Sequence, residues 1–300
     1  MKIGVVVNQP KQVRGFNLTF YHVKGVNGRI NKAADRVYNL ISCFGDNKTS
    51  REKPEWVAVS KYGKAVRRNK RFRFRWDWIC PTNKEYKAFL LDLINETSKA
   101  DIAGIHLDCI GFPRQEYCIC QRCVKSCEES KLEWVEWRSK IINEFVEQAS
   151  KLVRGSLSVT LTPDPCFAKE RFGLDFRSLA EYVDFFVVPL YDITYLTMYW
   201  VENLAYCFHR QLEKPLYIEL YMARTHRRPT IKNLLEAIVT VSNYADGVIL
   251  TTLDIHLAEE IRDKLVKDDK LQHFLEERGC ESMINIVRKW KEGDALYEPK

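Results

Sequence analysis

The sequence predicts an α/β fold, a parallel (β/α)8-type TIM barrel, and leaves open whether the N-terminal third is incomplete or decorated. Three observations predict it. From residue 84 onward, short apolar runs rich in β-branched and aromatic residues alternate with longer amphipathic segments. This rhythm is typical of parallel strands joined by helical crossovers. The 300 residues suffice for one barrel-sized domain, and no repeat or low-complexity linker divides them.

The second two-thirds of the chain supplies five predicted strands. They are Ile102–Asp108, Ser156–Thr162, Val183–Leu190, Leu216–Tyr221 and Gly247–Thr252. Around them lie helix-like segments near 84–98, 131–153, 176–182, 195–212, 231–244 and 255–267. If the last run is the eighth strand, Ile102–Asp108 is the fourth. The residues before 100 must then contain three strands.

The first hundred residues are less regular. Lys2–Val7 is a clear strand, and Asn31–Cys43 is predicted as a helix. Residues 8–30 and 44–83 show no regular pattern, although Arg71–Trp78 alternates like a further strand. A doubly wound open sheet is the rival fold. The segment NQPKQVRG after Val7 lacks the Gly-rich phosphate turn of such sheets, and this favours the barrel.

We predict one barrel domain over residues 1–268, with a Cys-rich loop at 109–130. A C-terminal helical extension at 269–300, with one helix over 270–291, is expected to pack on it. The N-terminus is too short and polar for a signal peptide, and no apolar run is long enough to span a membrane. We therefore expect a cytoplasmic chain without a membrane partner.

The composition excludes several classes of protein. With 46% hydrophobic and 29% charged residues, the chain is neither fibrous nor wholly disordered. A formal charge of +7 permits an anionic partner without requiring one. The ten cysteines are not expected to form a disulfide framework. The six scattered ones, Cys80 among them, are expected to be small buried hydrophobes.

The strongest local signal is Asp101–Pro113, DIAGIHLDCIGFP. In a strand, His106 and Asp108 share one parity with Gly104, so these side chains should face the barrel axis. Asp108 then ends the strand, where barrel enzymes place catalytic groups. A loop-capping or ion-paired carboxylate is the structural alternative.

Leu216–Tyr221 follows the same logic. Tyr217, Glu219 and Tyr221 share a parity, and a glutamate in an apolar strand must be functional or paired. Further carboxylates, Asp192 and Asp254 among them, follow strand ends, where helix caps are also common.

Hydrolysis of a glycosidic bond needs two carboxyl groups, one as proton donor and one as nucleophile or base. We therefore expect a carbohydrate substrate, acidic sugars included, with Asp108 as the first catalytic residue, Glu219 as the second, and Asp192 in reserve. Trp76 could offer a flat face to a sugar ring. The predicted substrate-binding residues are His106, Trp78, Asp77, Tyr191, Tyr217, Tyr221 and Asp254.

Several segments resemble an uncharacterised family of glycoside-hydrolase-like barrel proteins from archaea and bacteria. They are EWVAVSKYG, WICPTNKEY, DIAGIHLDCIGFP with YCICQRC, DFFVVPLYD and DGVILTTLD, together covering roughly residues 55–255. The resemblance implies a TIM barrel and a catalytic carboxylate at Asp108. The chain departs from the family pattern at Ala103 and at Cys109-Ile110-Gly111, where an acidic residue and an aromatic–Arg pair are usual.

Cys118, Cys120, Cys123 and Cys127 form a C-x-C-x2-C-x3-C cluster. Four thiols at this spacing could hold a structural zinc ion or an iron–sulfur cluster, or remain free or redox-active. No cofactor is expected for catalysis, because catalytic zinc sites keep an open position and include histidine.

Lys61–Arg75 carries eight basic residues, no acidic one and two interleaved phenylalanines. It could track nucleic-acid phosphates, clamp acidic sugars or form a solvated edge strand. A nucleic-acid-binding protein that uses this segment and the cysteines is therefore the alternative function. A barrel that binds glycans without cleaving them is a further one. His22 lies in an aromatic, Asn-rich segment that could overhang a cleft, but both His22 and His226 are expected to be surface histidines.

Overall fold

Eight parallel strands close into a barrel. The computed structural model describes residues 1–190, 198–221, 230–252 and 255–292. The barrel is complete, so its N-terminal third does supply three strands. The barrel strands are β1 Lys2–Val7, β2 Leu18–Lys24, β3 Tyr38–Ser42, β6 Gly104–Asp108, β7 Ser156–Thr160, β8 Phe185–Leu190, β9 Leu216–Tyr221 and β10 Gly247–Thr251. Around the barrel they follow the order β1-β10-β9-β8-β7-β6-β3-β2.

The prediction of a helix over Asn31–Cys43 is wrong, because the second half of this segment is β3. The connectors that join the first three strands, residues 8–17 and 25–37, contain no helix. In the segment before β3, the side chain of Asn39 forms hydrogen bonds with the backbone of Ala34. Its Oδ1 accepts from the backbone N–H of Ala34 at 2.8 Å, and its Nδ2 donates to the Ala34 carbonyl at 2.9 Å.

The predicted strand over Arg71–Trp78 is also absent. In this stretch only Trp78 makes a bridge, to Gly45. Asn69 turns the chain instead, because its Oδ1 accepts from the backbone N–H groups of Arg71 and Phe72, both at 2.8 Å. The regular elements between β3 and β6 are the helix α1 Thr49–Glu52, a 3₁₀ turn at Pro54–Trp56, the hairpin β4 Val59–Ser60 with β5 Gly63–Lys64, and the helix α2 Lys84–Thr97.

Two of the remaining helices were not predicted: Gln121–Ser130, which lies within the predicted Cys-rich loop, and Ala168–Phe172. The others match the predicted segments, except at the C-terminus. There Gly279, with φ +71°, breaks the predicted single helix into two. Met283, Ile284 and Val287 of the last helix are fully buried in the main core. The helices are α3 Gln121–Ser130, α4 Trp134–Ser150, α5 Ala168–Phe172, α6 Phe176–Ala180, α7 Met198–His209, α8 Ile231–Val241, α9 Ile255–Lys264, α10 Asp269–Glu276 and α11 Glu281–Lys291.

Apolar residues fill two regions. A large cluster lies between the strands and the surrounding helices, and a small one plugs the barrel interior. The interior cluster forms a floor below the C-terminal ends of the strands. Its members are Val6, Leu18, Phe20, Phe185, Val187, Tyr217 and Ile249. None of the helices in the described ranges is long and apolar enough to cross a lipid bilayer.

A buried ion pair ties the first strands to α1 and α2. The Lys24 Nζ lies 3.0 Å from Asp46 Oδ2, and both side chains are almost fully buried. Lys24 also donates to the Ser42 carbonyl at 2.7 Å. Asp46 accepts from the Tyr86 hydroxyl at 2.9 Å and from the Thr49 backbone N–H at 2.8 Å. Burial opposes ionisation of Asp46, but the Lys24 charge and these donors hold its pKa below the usual value.

Candidate functional site

A cavity of 680 Å³ opens where the barrel strands end, and we call it the mouth cavity. Parallel strands bring their C-terminal ends to one rim, which is where barrel enzymes carry their reactive groups. Its lining includes the loop residues Arg29, Arg75 and Trp76. The polar strand residues that line it are His22, Ser42, His106, Asp108, Thr160, Glu219, Tyr221 and Thr251.

Asp108 ends strand β6 and reaches the mouth cavity. As the alternation predicts, Ile105 and Leu107 point outward into the main core, which leaves Asp108 facing inward. The next residue, Cys109, has φ +55°, a backbone conformation that is rare outside glycine and often marks a functional site. Burial raises the pKa of the Cys109 thiol well above its usual value, with a further contribution from the Asp108 charge. It therefore stays protonated and donates to Asp108 Oδ2 at 3.3 Å.

Glu219 enters the same cavity from strand β9. Its side chain is only 7% exposed, and its Oε1 accepts from the Thr251 hydroxyl at 2.5 Å. Tyr221, two residues on, also lines the cavity. Strands β7 and β8 lie between β6 and β9 in the barrel, so Asp108 and Glu219 approach the cavity from well-separated strands.

His106 lies two residues before Asp108 on strand β6 and forms part of the wall of the mouth cavity. Its Nδ1 lies 2.9 Å from the Ser158 hydroxyl and its Nε2 lies 2.7 Å from the Thr160 hydroxyl. Burial, assisted by the neighbouring His22, lowers the pKa of His106 to about 3. The imidazole is therefore neutral at physiological pH. It holds Thr160 in place and is unsuited to proton transfer at that pH.

His22 lies on strand β2 and lines the mouth cavity, so the expectation of a surface histidine is wrong. His22 was placed in a loop because residues 8–30 were not assigned to a strand. Burial lowers the pKa of His22, although the charge of Asp108 acts in the opposite direction. Among the described residues, four buried polar side-chain atoms lack a hydrogen-bond partner. Two of these, His22 Nδ1 and Trp76 Nε1, belong to residues that line this cavity.

A second cavity of 550 Å³ adjoins the first, and we call it the side cavity. Its lining is mostly apolar and includes Trp78 and Phe172. The lining residues that are neither apolar nor glycine are Arg75, Asp108, Cys109, Thr160 and Thr162. The Trp76 and Trp78 rings lie 6.1 Å apart along its wall. The residues that border both cavities are Arg75, Trp76, Asp108 and Thr160.

Asp77 does not contact either cavity, which corrects its prediction as a substrate-binding residue. It is 6% exposed and tied into the loop. Its Oδ2 accepts from the Ser50 hydroxyl at 2.5 Å, and its Oδ1 accepts from the Arg67 backbone N–H at 2.8 Å. Arg71–Trp78 is not a strand, and these contacts hold Asp77 within the loop.

Tyr217, predicted as a substrate-binding residue, does not line the mouth cavity. It has the expected inward parity but lies in the interior floor, where its ring packs 4.8 Å from that of Phe185 and fills the space above Gly247. The mouth cavity begins two residues further along β9, at Glu219. The predicted residues Tyr191, Asp192 and Asp254, and His226, lie outside the described residues.

The cysteine cluster forms, but with a different fourth member. Cys80, Cys118, Cys120 and Cys123 bring their sulfur atoms within 4.8 Å of one another. Cys127 lies one helical turn beyond Cys123, and its thiol donates to the Leu132 carbonyl at 3.6 Å instead. Cys80 was expected to be an ordinary core residue. Its role could not be inferred from spacing, because it precedes Cys120 by 40 residues.

The basic segment 61–75 is a loop around the hairpin β4–β5. Its aromatic residues do not form a stacking strip, because Phe72 and Phe74 pack against the buried Tyr117 at ring distances of 6.3 and 5.6 Å. The Arg114 guanidinium covers the Phe72 ring at 4.3 Å. Of the basic side chains in this segment, only Arg75 lines the two cavities described above.

Comparison with known proteins identifies the family. A family model described as "Putative glycosyl hydrolase domain" matches residues 8–217. A search of curated proteins returned no significant match. Among solved structures, an α-L-fucosidase isoenzyme 2 from Paenibacillus thiaminolyticus is similar with TM-score 0.59 and 14% identity, over 93% of this chain and 44% of that chain. The glycoside hydrolase domain of PelA from Pseudomonas aeruginosa gives TM-score 0.48 and 12% identity, over 83% of this chain and 94% of that domain. The chain thus spans less than half of the fucosidase, and that likeness shows the barrel fold alone.

Proposed function

Because the chain belongs to this glycosyl hydrolase domain family, we propose that it hydrolyses an O-glycosidic bond with the carboxyl groups of Asp108 and Glu219. One observation carries the proposal. Both carboxyl groups line the same mouth cavity, at the end of the barrel where such enzymes act. Two carboxyl groups flanking the scissile bond are the minimal requirement of this chemistry.

The two cavities suggest how the roles divide. Asp108 borders both of them, whereas Glu219 lines only the mouth cavity. A glycan that occupies both cavities would place its scissile oxygen at their junction, beside Asp108. Asp108 then protonates the leaving oxygen. Glu219, beneath the sugar in the mouth cavity, attacks the anomeric carbon or activates water.

The cavity also offers groups that could bind sugar hydroxyls. His22 Nδ1 and Trp76 Nε1 are buried and unpaired within the described part of the chain, and an unsatisfied buried polar atom costs about 1–3 kcal/mol. Substrate hydroxyls would supply the missing partners. The Trp76 indole, at the junction of the cavities, offers a flat apolar face to a sugar ring.

Arg75 favours a substrate that carries a negative charge. Its guanidinium borders both cavities and makes no hydrogen bond or ion pair with the described part of the chain. A planar guanidinium binds carboxylate or phosphate in a bidentate fashion. The substrate therefore carries an acidic group, such as a uronic acid or a sugar phosphate.

The direct test is hydrolysis of a panel of neutral and acidic oligosaccharides and aryl glycosides. We expect Asp108→Asn and Glu219→Gln each to lower kcat/KM by about 10²–10⁴-fold, the contribution of a positioned acid or base. Asp92→Asn, on the exposed face of α2, is the matched control and should leave the rate unchanged. Full activity in either cavity variant would overturn the assignment. Glycan binding without hydrolysis by the wild type would instead identify a non-catalytic barrel.

Leaving-group dependence separates the two roles. An aryl glycoside with a dinitrophenolate leaving group needs little protonation, so Asp108→Asn should be far less impaired on it than on an oligosaccharide. Glu219→Gln should be equally impaired on both substrates. The reverse pattern would make Glu219 the proton donor and Asp108 the nucleophile or base.

A further inference from the structure

We propose that Cys80, Cys118, Cys120 and Cys123 bind a structural zinc ion that ties together the two loops beside the cavities. This proposal does not depend on the reaction. The metal content of the chain can be measured whether or not a glycan is cleaved, so the failure of one proposal leaves the other standing.

The geometry fits a single tetrahedral ion. The Cys80 sulfur lies 3.4 Å from that of Cys123 and 3.8 Å from that of Cys120, and all four sulfurs lie within 4.8 Å of one another. Zinc–thiolate bonds of about 2.3 Å at tetrahedral angles separate the sulfurs by about 3.8 Å. Four sulfurs gathered around one centre suit a closed site with four thiolate ligands better than a single disulfide. Three of the four cysteines are buried, and Cys120 is partly exposed.

Hydrogen-bond donors surround the sulfurs. The Val59 backbone N–H donates to Cys118 Sγ at 3.3 Å. The Thr82 hydroxyl lies 3.1 Å from Cys80 Sγ and 3.2 Å from Cys123 Sγ. Donors of this kind fix the orientation of metal ligands and stabilise thiolate charge.

A buried cation provides independent support. Arg138 is fully buried, and among the described residues it makes no ion pair with a carboxylate. Its guanidinium donates only to the carbonyls of Glu170, Arg114 and Arg171. Burial lowers the pKa of Arg138 to about 10, while charge on Cys123, Cys118 and Glu116 acts in the opposite direction. A zinc ion with four thiolates carries a net charge of −2, which would compensate this otherwise unpaired cation.

The site has a clear structural purpose. Cys80 lies two residues after Trp78, and Cys118 and Cys120 end the loop that begins at Asp108. The ion would join the loop that carries the tryptophans to the loop that follows the candidate acid. Because every ligand position is filled by a thiolate, no position remains for substrate, and the zinc is structural.

Metal analysis of the purified full chain tests the proposal. We expect one zinc per chain in the wild type, little or none in Cys80→Ser, and one in Cys127→Ser, the matched control suggested by the sequence spacing. Loss of zinc in Cys127→Ser but not in Cys80→Ser would overturn the assignment. So would iron with acid-labile sulfide in place of zinc, or a wild type with no bound metal after growth with zinc.

Alkylation of the wild type avoids any dependence on how the variants fold. Iodoacetamide followed by peptide mass spectrometry should modify Cys127 and the exposed Cys166 at once. Cys80, Cys118, Cys120 and Cys123 should become reactive only after a chelator removes the metal. Chelator-dependent protection that omits Cys80, or that includes Cys127, would contradict the site.

Discussion

The Thr251 hydroxyl on β10 lies 2.5 Å from Oε1 of Glu219 on the paired strand β9, where Thr251 is in register with Tyr221, two residues beyond Glu219. Glu219 is buried, whereas Asp108, the other candidate catalytic carboxylate, is partly exposed. The hydrogen bond from Thr251 helps to hold the Glu219 carboxylate in position in the mouth cavity. Thr251 is therefore a positioning residue.

Removing that hydroxyl should impair the reaction more than the fold. A hydrogen bond to a charged group is worth about 1.5–3 kcal/mol, so Thr251→Val should lower kcat about 10- to 100-fold. Thr251→Ser keeps the hydroxyl and should restore most of the rate. Steady-state kinetics with thermal unfolding measures both effects. If the serine variant is as slow as the valine variant, packing of the methyl group is responsible instead.

Asp77 should contribute to stability. Its carboxylate accepts from the Ser50 hydroxyl and the Arg67 backbone N–H, and Asp77→Asn loses an acceptor for one of them. We expect the free energy of unfolding to fall by about 1–3 kcal/mol in denaturant titrations. Asp92 is exposed and makes no side-chain hydrogen bond or ion pair with the described residues, so Asp92→Asn should be neutral. An unchanged midpoint for Asp77→Asn would show that the loop gains nothing from these bonds.

The buried His106 should make the chain acid-sensitive. Its pKa is about 3 in the folded chain and 6.5 in the unfolded chain. Between these values the unfolded state binds more protons, so stability falls as the pH drops from 6.5 towards 3. One proton contributes a slope of up to about 1.4 kcal/mol per pH unit. The slope between pH 4 and 6 should be shallower in His106→Gln. Identical slopes in the two proteins would argue against a neutral, buried His106.

Arg75 should discriminate between substrates. Arg75→Ala is expected to raise KM for an acidic glycan about tenfold while changing KM for its neutral analogue little, because only the acidic group engages the guanidinium. Arg73→Ala removes the same charge from an exposed residue outside both cavities and should have no effect. Equal losses in the two variants would indicate general electrostatic attraction rather than a specific contact.

Periodicity predicted the parts of the fold where a strand has one polar and one apolar face. It located β9 to the residue and gave the inward parity of Asp108 and Glu219. It failed for β2, LTFYHVK, because nearly every residue of that strand is buried and no polar alternation marks its two faces. His22 was assigned to a loop for this reason. Cys80 was missed because it reaches the other three cysteines only through the folded loops, which local spacing cannot reveal.

Lys24 and Asp46 impose a constraint on how this sequence can change over evolution. Losing one member of a buried charge pair costs about 3–5 kcal/mol, a large share of the 5–15 kcal/mol that typically holds a domain together. Replacing both with well-packed apolar residues can be neutral. Homologues should therefore carry the pair intact or lack both charges, with few sequences in between. Passage from one kind to the other requires a background stable enough to tolerate the unpaired intermediate.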